Sequence, residues 1–439
     1  MIPYGRQSIS DDDIEAVVRS LRSDFLTCGP EVEAFEREFA AFVGAKHAVA
    51  VCNATAALHL AMQVLGIGKG DRVVTSPNTF VASANAAAYV GATTDFSDID
   101  PKSYNLDPAV LEQNWKPDTK AVVAVDYAGQ PCNMPEIARI ARSRGAYVIE
   151  DACHGTGGGF IAEGRTWKLG GHPWADITTF SFHPVKTLTT GEGGILLTEN
   201  DEWAATARLL RTHGITRNPS EFTGLSDSPS STSSAISPSP FLVERGPWYY
   251  EMQELGYNYR ITDLQCALGR SQLKRLPEFI TRRQEIASSY NQSFSNLDWL
   301  KTPTLDSGHS SLDPLLPLAT NHSLPATSSS SEVRHPPSAI RYHLPDLSLH
   351  LYTVQIDFPR LVKTRTEVMQ ELRDKGVGTQ VLYIPVYLQP WYRRTHGYAL
   401  GKCPNAEEFY ARALSLPLFP SMTDADVKNV IHAVLALED

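Results

Sequence analysis

Between residues 45 and 200, short apolar runs alternate with stretches of helical spacing, and this alternation constrains the fold more than any other feature. The runs AVAVC (48–52), RVVTS (72–76), TTDFSDI (93–99), AVVAVDY (121–127), AYVIEDA (146–152), ITTFSF (177–182) and GILLT (194–198) read as strands. Between them, TAALHLAMQVLG sets Leu58, Ala61, Met62 and Leu65 on one helical stripe. MPEIARIARSRG sets Ile137, Ile140 and Ala141 on another. Parallel neighbours need a crossover, so alternating strand and helix implies a mainly parallel central sheet covered by helices. The expected class is α/β. In such sheets ligands gather at the carboxyl ends of the strands.

Two segments break the pattern. SDSPSSTSSAISPSP (226–240) and the stretch 306–338, with HSLPATSSSSEVRHPPS, hold too few apolar groups to offset the entropy of ordering. They read as surface insertions, bounded at 219–245 and 303–345. A helix-like stretch covers 261–295, followed by a strand LYTVQIDF (351–358), a helix at 364–375, a strand-like VGTQVLYIPV (377–386) and a last helix at 423–437. The expected division is a large domain over 1–260, opening with an N-terminal arm, and a smaller α+β domain over 261–439.

A net charge of −10 argues against a nucleic-acid partner but permits a local pocket for a small anion. The six cysteines contain no C-x-x-C pair, so the pattern calls for neither a metal site nor a disulfide framework. The start, MIPYGRQSISDDD, is too polar for a secretory signal, and no apolar run approaches a membrane span. The expected location is cytoplasmic, with no membrane contact.

Chemistry concentrates in TTFSFHPVKTLTTGEGG (178–194), where Lys186 sits between a strand end and a glycine-rich turn. Most lysines are solvated, but an amine held in a partly apolar pocket loses proton affinity and becomes a nucleophile for an aldehyde. Pyridoxal 5'-phosphate (PLP) requires such an amine. It also requires a carboxylate at its ring nitrogen. AYVIEDACH offers Glu150 and Asp151, which strand alternation aims at opposite faces, so only one can meet the ring. CNATAALHL supplies a strand, a turn and a helix start near Thr55 for the phosphate, with Asn53 or Thr55 as cap. Ser181 offers a hydroxyl, and Phe80, just after a strand, offers a ring face.

These residues, in this order, resemble the DegT-type nucleotide-sugar aminotransferases, which have the PLP-dependent transferase type I fold. The branch it is most similar to acts on UDP-4-amino-4,6-dideoxy-N-acetyl-β-L-altrosamine in pseudaminic acid synthesis. SDFLTCGPEVEAFE, TFVASAN, DYAGQPCNM, VIEDACH, LRTHGITR and GPWYYEMQELGYNYRITDLQCALG carry the likeness, which spans the chain apart from the two insertions. The resemblance implies Lys186 as the Schiff-base lysine and Asp151 as the ring-nitrogen partner. It implies Phe80 as the stacking ring, and Ala54, Thr55 and Ser181 as phosphate contacts. It sets His154 near the cofactor, and Tyr4, His183, Arg217 and Tyr383 among substrate contacts. Asn258 matches an asparagine that reaches the phosphate across a dimer interface, which implies a homodimer with shared active sites. The implied reaction moves an amino group from an amino acid, L-glutamate, to a nucleotide-linked 4-keto deoxy sugar for polysaccharide synthesis.

Some positions depart from the pattern. Ala54 stands where glycine is usual, which predicts a slightly altered phosphate loop. Cys28 replaces a glutamine, and Leu382 and Tyr387 replace histidines of the substrate wall. Rival readings are a PLP-dependent sugar dehydratase, in which histidine replaces the lysine, and a non-catalytic PLP-binding regulator. A nucleotide oxidoreductase using HGTGGGF (154–160) lacks both the G-x-G-x-x-G spacing and a following helix pattern.

Overall fold

The computed structural model describes residues 1–223, 246–306 and 340–438. Most of both Ser/Pro-rich insertions lies outside these described residues. Seven strands form the main sheet: β1 (His47–Val51), β2 (Arg72–Thr75), β3 (Thr93–Phe96), β4 (Thr119–Val125), β5 (Tyr147–Asp151), β6 (Ile177–Ser181) and β7 (Gly194–Thr198). Their order is β1–β7–β6–β5–β4–β2–β3. The ladders β3/β2, β2/β4, β4/β5 and β5/β6 are parallel. β7 alone runs antiparallel, to β6 and to β1. All seven expected strands are present. The run TTDFSDI leaves the sheet after Phe96, because the Asp98 carboxylate turns away to accept the N–H groups of Asn405 and Ala406 at a helix start.

Both faces of the sheet are dry, as strands with few polar residues demand. Along β4, Val122 and Ala124 face one core, with Phe35 and Phe39 of α2 (Pro30–Val43), the helix that follows α1 (Asp11–Leu21). Ala121, Val123 and Val125 face the other, with Leu58 and Met62 of α3 (Ala54–Val64) and Ala86 of α4 (Val81–Tyr89). A sheet covered by helices on both faces thus follows from period-2 burial on both sides.

After the main sheet comes a 32-residue helix, α5 (Asp263–Phe294), which carries Pro277 within it. It leads to a three-stranded antiparallel sheet of β8 (Leu300–Lys301), β9 (Tyr352–Ile356) and β10 (Ala413–Leu416). The buried Arg283 guanidinium of α5 donates to the carbonyls of Leu349, His350 and Leu418 and so ties the helix to the segment preceding β9. The expected helices near 364–375 and 423–437 occur as Arg365–Asp374 and Asp424–Leu435.

The strand expected over 377–386 does not form. The segment makes only isolated bridges, Ile2 with Val377 and Gln380 with Ser415. Beyond Gln380 its backbone turns to other partners: Tyr127 Oη donates to the Leu382 carbonyl, and Val386 N–H to the Pro77 carbonyl. The apolar, β-type composition of 377–386 suits a ladder, but beyond Gln380 the backbone bonds to loop partners while Leu382 and Tyr383 line a cleft.

Candidate active site

The carboxyl ends of the parallel strands open onto a cleft of about 500 Å³. Why Lys186 reaches it is legible in the strand before it. Phe180 and Phe182 are fully buried and meet Phe39 edge to face, each at a centroid distance of 5.3 Å. Such pairs add about 0.5–1.5 kcal/mol each beyond area burial, enough to fix the strand's facing. Alternation then turns Ser181 to the opposite side, where it lines the cleft. The turn after β6 closes when Lys186 N–H donates to the His183 carbonyl and Thr190 N–H to the Phe182 carbonyl.

The Lys186 side chain lines the cleft and forms no ion pair among the described residues. Burial lowers its proton affinity below the usual lysine range, with Cys153 and Asp151 acting the other way.

The two acids separate as alternation requires. Glu150 is fully buried on the far face, accepting from Gly170 N, His172 Nε2 and Thr178 Oγ1 at 3.0, 2.8 and 2.8 Å. Asp151 turns to the cleft, where Ser83 Oγ donates to Oδ2 at 2.6 Å and Cys153 N to Oδ1 at 3.2 Å. Thr79 and Ser83 hydroxyls lie 2.8 Å apart. The Ser83 proton is committed to Asp151, so Thr79 donates to Ser83. Asp151 is only 4% exposed and meets no cationic side chain within ion-pair distance among the described residues. A carboxylate so buried calls for a positive partner, and a protonated ring nitrogen would be one.

Helix α3 starts beside these groups. Asn53 is its cap, accepting from Ala56 N at 2.9 Å, which leaves the N–H groups of Ala54 and Thr55 for a ligand. Ala54 is the first helical residue and does not have a positive φ, so the glycine freedom expected there is not needed. The glycine requirement sits instead on β7, where a Cβ on Gly194 would lie 2.5 Å from Ala54 N.

Tyr4, Ala54, Thr55, Phe80 and Asp151 line the cleft. So do His154, Ser181, His183, Lys186 and Tyr383. Phe80 is 57% exposed at the helix α4 cap, an unusual position for a phenylalanine and suited to a ring ligand. Two other residues, Arg217 and Asn258, the latter expected to act across a dimer interface, lie away from this chain's own cleft. Asn258 and Arg217 are exposed outside the cleft. Asn258 is held by its neighbours: Tyr257 N donates to the Leu210 carbonyl, Tyr259 N to that of Arg211, and the two tyrosine rings stack at 4.9 Å. Alternation leaves Asn258 facing away from them.

Thr79, Ser83 and His350 are among the wall residues that sequence reasoning missed. Ser83 stands three residues after Phe80, one helical turn on, and that spacing was a usable signal. His350 had none, being a lone histidine ahead of an apolar strand. It is buried, its ring centroid lies 4.6 Å from that of His154, and its Nδ1 has no hydrogen-bond partner among the described residues. The glycine run HGTGGGF leads into a hairpin, Gly159–Ala162 with Arg165–Lys168, and opens no helix, which removes the oxidoreductase reading.

The model of the DegT/DnrJ/EryC1/StrS aminotransferase family matches residues 7–330 and 329–435. This chain belongs to that family. The DegT-type aminotransferases are PLP-dependent. The chain is 40% identical over 438 residues to the spore coat polysaccharide biosynthesis protein SpsC of Bacillus subtilis, covering 99% of this chain and 96% of that one. Among solved structures it resembles the aminotransferase TlmJ of Streptoalloteichus hindustanus, at 30% identity, a TM-score of 0.77, and 100% and 98% coverage. It also resembles PseC of Helicobacter pylori, an aminotransferase of pseudaminic acid biosynthesis, at 25% identity, a TM-score of 0.78, and 99% and 98% coverage. In this DegT-type chain one cleft holds both Lys186 and Asp151.

Proposed function

We propose that this chain binds PLP and transfers an amino group from L-glutamate to the 4-keto group of a nucleotide-linked sugar, a UDP-4-keto-6-deoxy-N-acetylhexosamine. The observation that carries this is a desolvated amine and a buried acid, neither neutralised by an ion pair among the described residues, sharing a cleft with a helix start whose first two N–H groups the Asn53 cap leaves free. Bound PLP supplies an aldehyde carbon that carries the amino group and an electron-accepting ring.

The chain's own residues then divide the work. Lys186 Nζ is the attachment point, and its low proton affinity lets the free amine take and return a proton at the substrate carbon. Asp151, held by Ser83 and Cys153 N, keeps the ring nitrogen protonated. Ala54 N, Thr55 and Ser181 meet the phosphate, and Phe80 covers one ring face. Tyr4 and His183 stand on the substrate side. The exposed Asn258 and Arg217 suit a homodimer in which each reaches the other subunit's cleft. Likeness to PseC and SpsC supports the sugar class. The division into domains at residue 260 belongs to the same reading.

The test is an amino-transfer assay with glutamate over a panel of UDP- and dTDP-linked 4-keto sugars, followed through 2-oxoglutarate. Lys186→Ala is expected to abolish transfer and the visible chromophore of the attached cofactor. Full turnover by that variant rejects the assignment.

A further inference from the structure

One wall of the cleft carries a hydrogen-bond chain whose direction can be worked out. Ala128 N–H donates to His154 Nδ1 at 3.2 Å, so Nδ1 is an acceptor. Burial, with the Lys186 charge adding to it, holds the His154 imidazole well below its usual proton affinity. A neutral imidazole that accepts at Nδ1 carries its proton on Nε2. His154 Nε2 lies 3.1 Å from Tyr383 Oη, so this bond runs from the imidazole N–H to the phenol oxygen. The phenol proton is left over. Among the described residues Tyr383 Oη has no second partner. Burial pushes the phenol well above its usual range, so the proton stays on.

The ring that bears this proton is held in place. It stacks on His154 at 5.9 Å with a 24° interplanar angle and leans on Phe80 at 6.2 Å. The preceding carbonyl, of Leu382, accepts from Tyr127 Oη at 2.6 Å. Tyr383 lines the same cleft as Lys186, so its O–H is a fixed, neutral donor in the cavity that holds the amine.

We infer that Tyr383 donates a hydrogen bond to the oxygen of the carbonyl that receives the amino group, with His154 as the positioning residue that sets the direction. The two substrates differ at that atom. The amino donor enters with a nitrogen bearing N–H groups and shows a carbonyl oxygen only on leaving as the keto acid, whereas the acceptor enters with an oxygen bearing two lone pairs. An O–H whose oxygen already accepts from His154, and whose proton is therefore aimed away from it, favours the second. Such a preset donor polarises the carbonyl without reorganisation. His154 orients the phenol by always donating to it. The inference rests on the proposed transfer to a keto sugar.

The experiment uses the full chain with PLP and resolves the two half-reactions by single-turnover absorbance. Tyr383→Phe keeps the ring packing and removes only the hydroxyl. It is expected to slow the acceptor half-reaction about tenfold more than the donor half-reaction. His154→Phe is expected to give the same partition, and His154→Gln, which offers both an acceptor and an N–H, to restore part of it. A second measurement needs no turnover. Calorimetric binding of the UDP-linked 4-keto sugar to Lys186→Ala is expected to weaken about tenfold when Tyr383→Phe is added. Equal slowing of both half-reactions, or unchanged binding, overturns the inference alone. A wild-type chain that aminates no keto sugar overturns the underlying reading and this inference with it.

Discussion

Glu150 and Asp151 are neighbours in sequence, yet converting each to its amide should break different things. Glu150→Gln acts on a buried network whose donors cannot all adapt. Glu150 Oε2 accepts from Gly170 N and Thr178 Oγ1, and Oε1 from His172 Nε2. His172 Nδ1 accepts from Trp174 N at 3.3 Å, so Nε2 must carry the proton. A glutamine oxygen can replace Oε2, but its NH₂ then faces the His172 N–H. One charge-assisted bond is lost and a buried donor is left facing another donor, which together cost about 3 kcal/mol. Asp151→Asn faces softer partners. Its oxygen keeps the Cys153 N–H, and its NH₂ meets Ser83, whose hydroxyl rotates to accept and donates to Thr79 instead. Its stability cost should stay within about 1 kcal/mol. A neutral amide, however, no longer holds a ring nitrogen protonated, and transfer should fall about a hundredfold or more. Thermal melts and the amino-transfer assay on both variants provide the comparison. A Glu150→Gln protein of native stability that has lost activity, beside an active but unstable Asp151→Asn, would refute the facing assigned to these acids.

Gly194→Ala should press its methyl against the start of α3, where the distance to Ala54 N would be 2.5 Å. The expected cost is about 1–3 kcal/mol together with faster loss of chromophore on dialysis, and unchanged retention counts against a phosphate site there. The buried imidazoles of His154 and His350 are held well below their usual proton affinity, mainly by desolvation. Below about pH 6.5 the unfolded chain binds protons that the native one does not, so stability should fall with pH by up to about 1.4 kcal/mol per unit for each histidine. Denaturant titrations from pH 7.5 to 5 test this: the slope should flatten in a His154→Gln, His350→Gln chain, and a wild type of constant stability over that range contradicts it.

The sequence by itself determined the main sheet and the chemistry at its edge. Strand period and apolar content are local properties, so all seven strands could be placed, and TTFSF already turned Ser181 and the phenylalanines to opposite sides. The neighbouring acids were separated by the same alternation. Where the chain left its ladder, local pattern misled: 377–386 looks like a strand because its residues are apolar, but only packing decided that its backbone would bond to Tyr127 and Pro77. The tertiary structure alone brought His350 and the Tyr383 hydroxyl to His154, about two hundred residues away, and left Asn258 and Arg217 outside the cleft. Such meetings depend on how helices and sheets dock, a sum of many weak contacts between distant segments, and no short stretch of sequence records that sum.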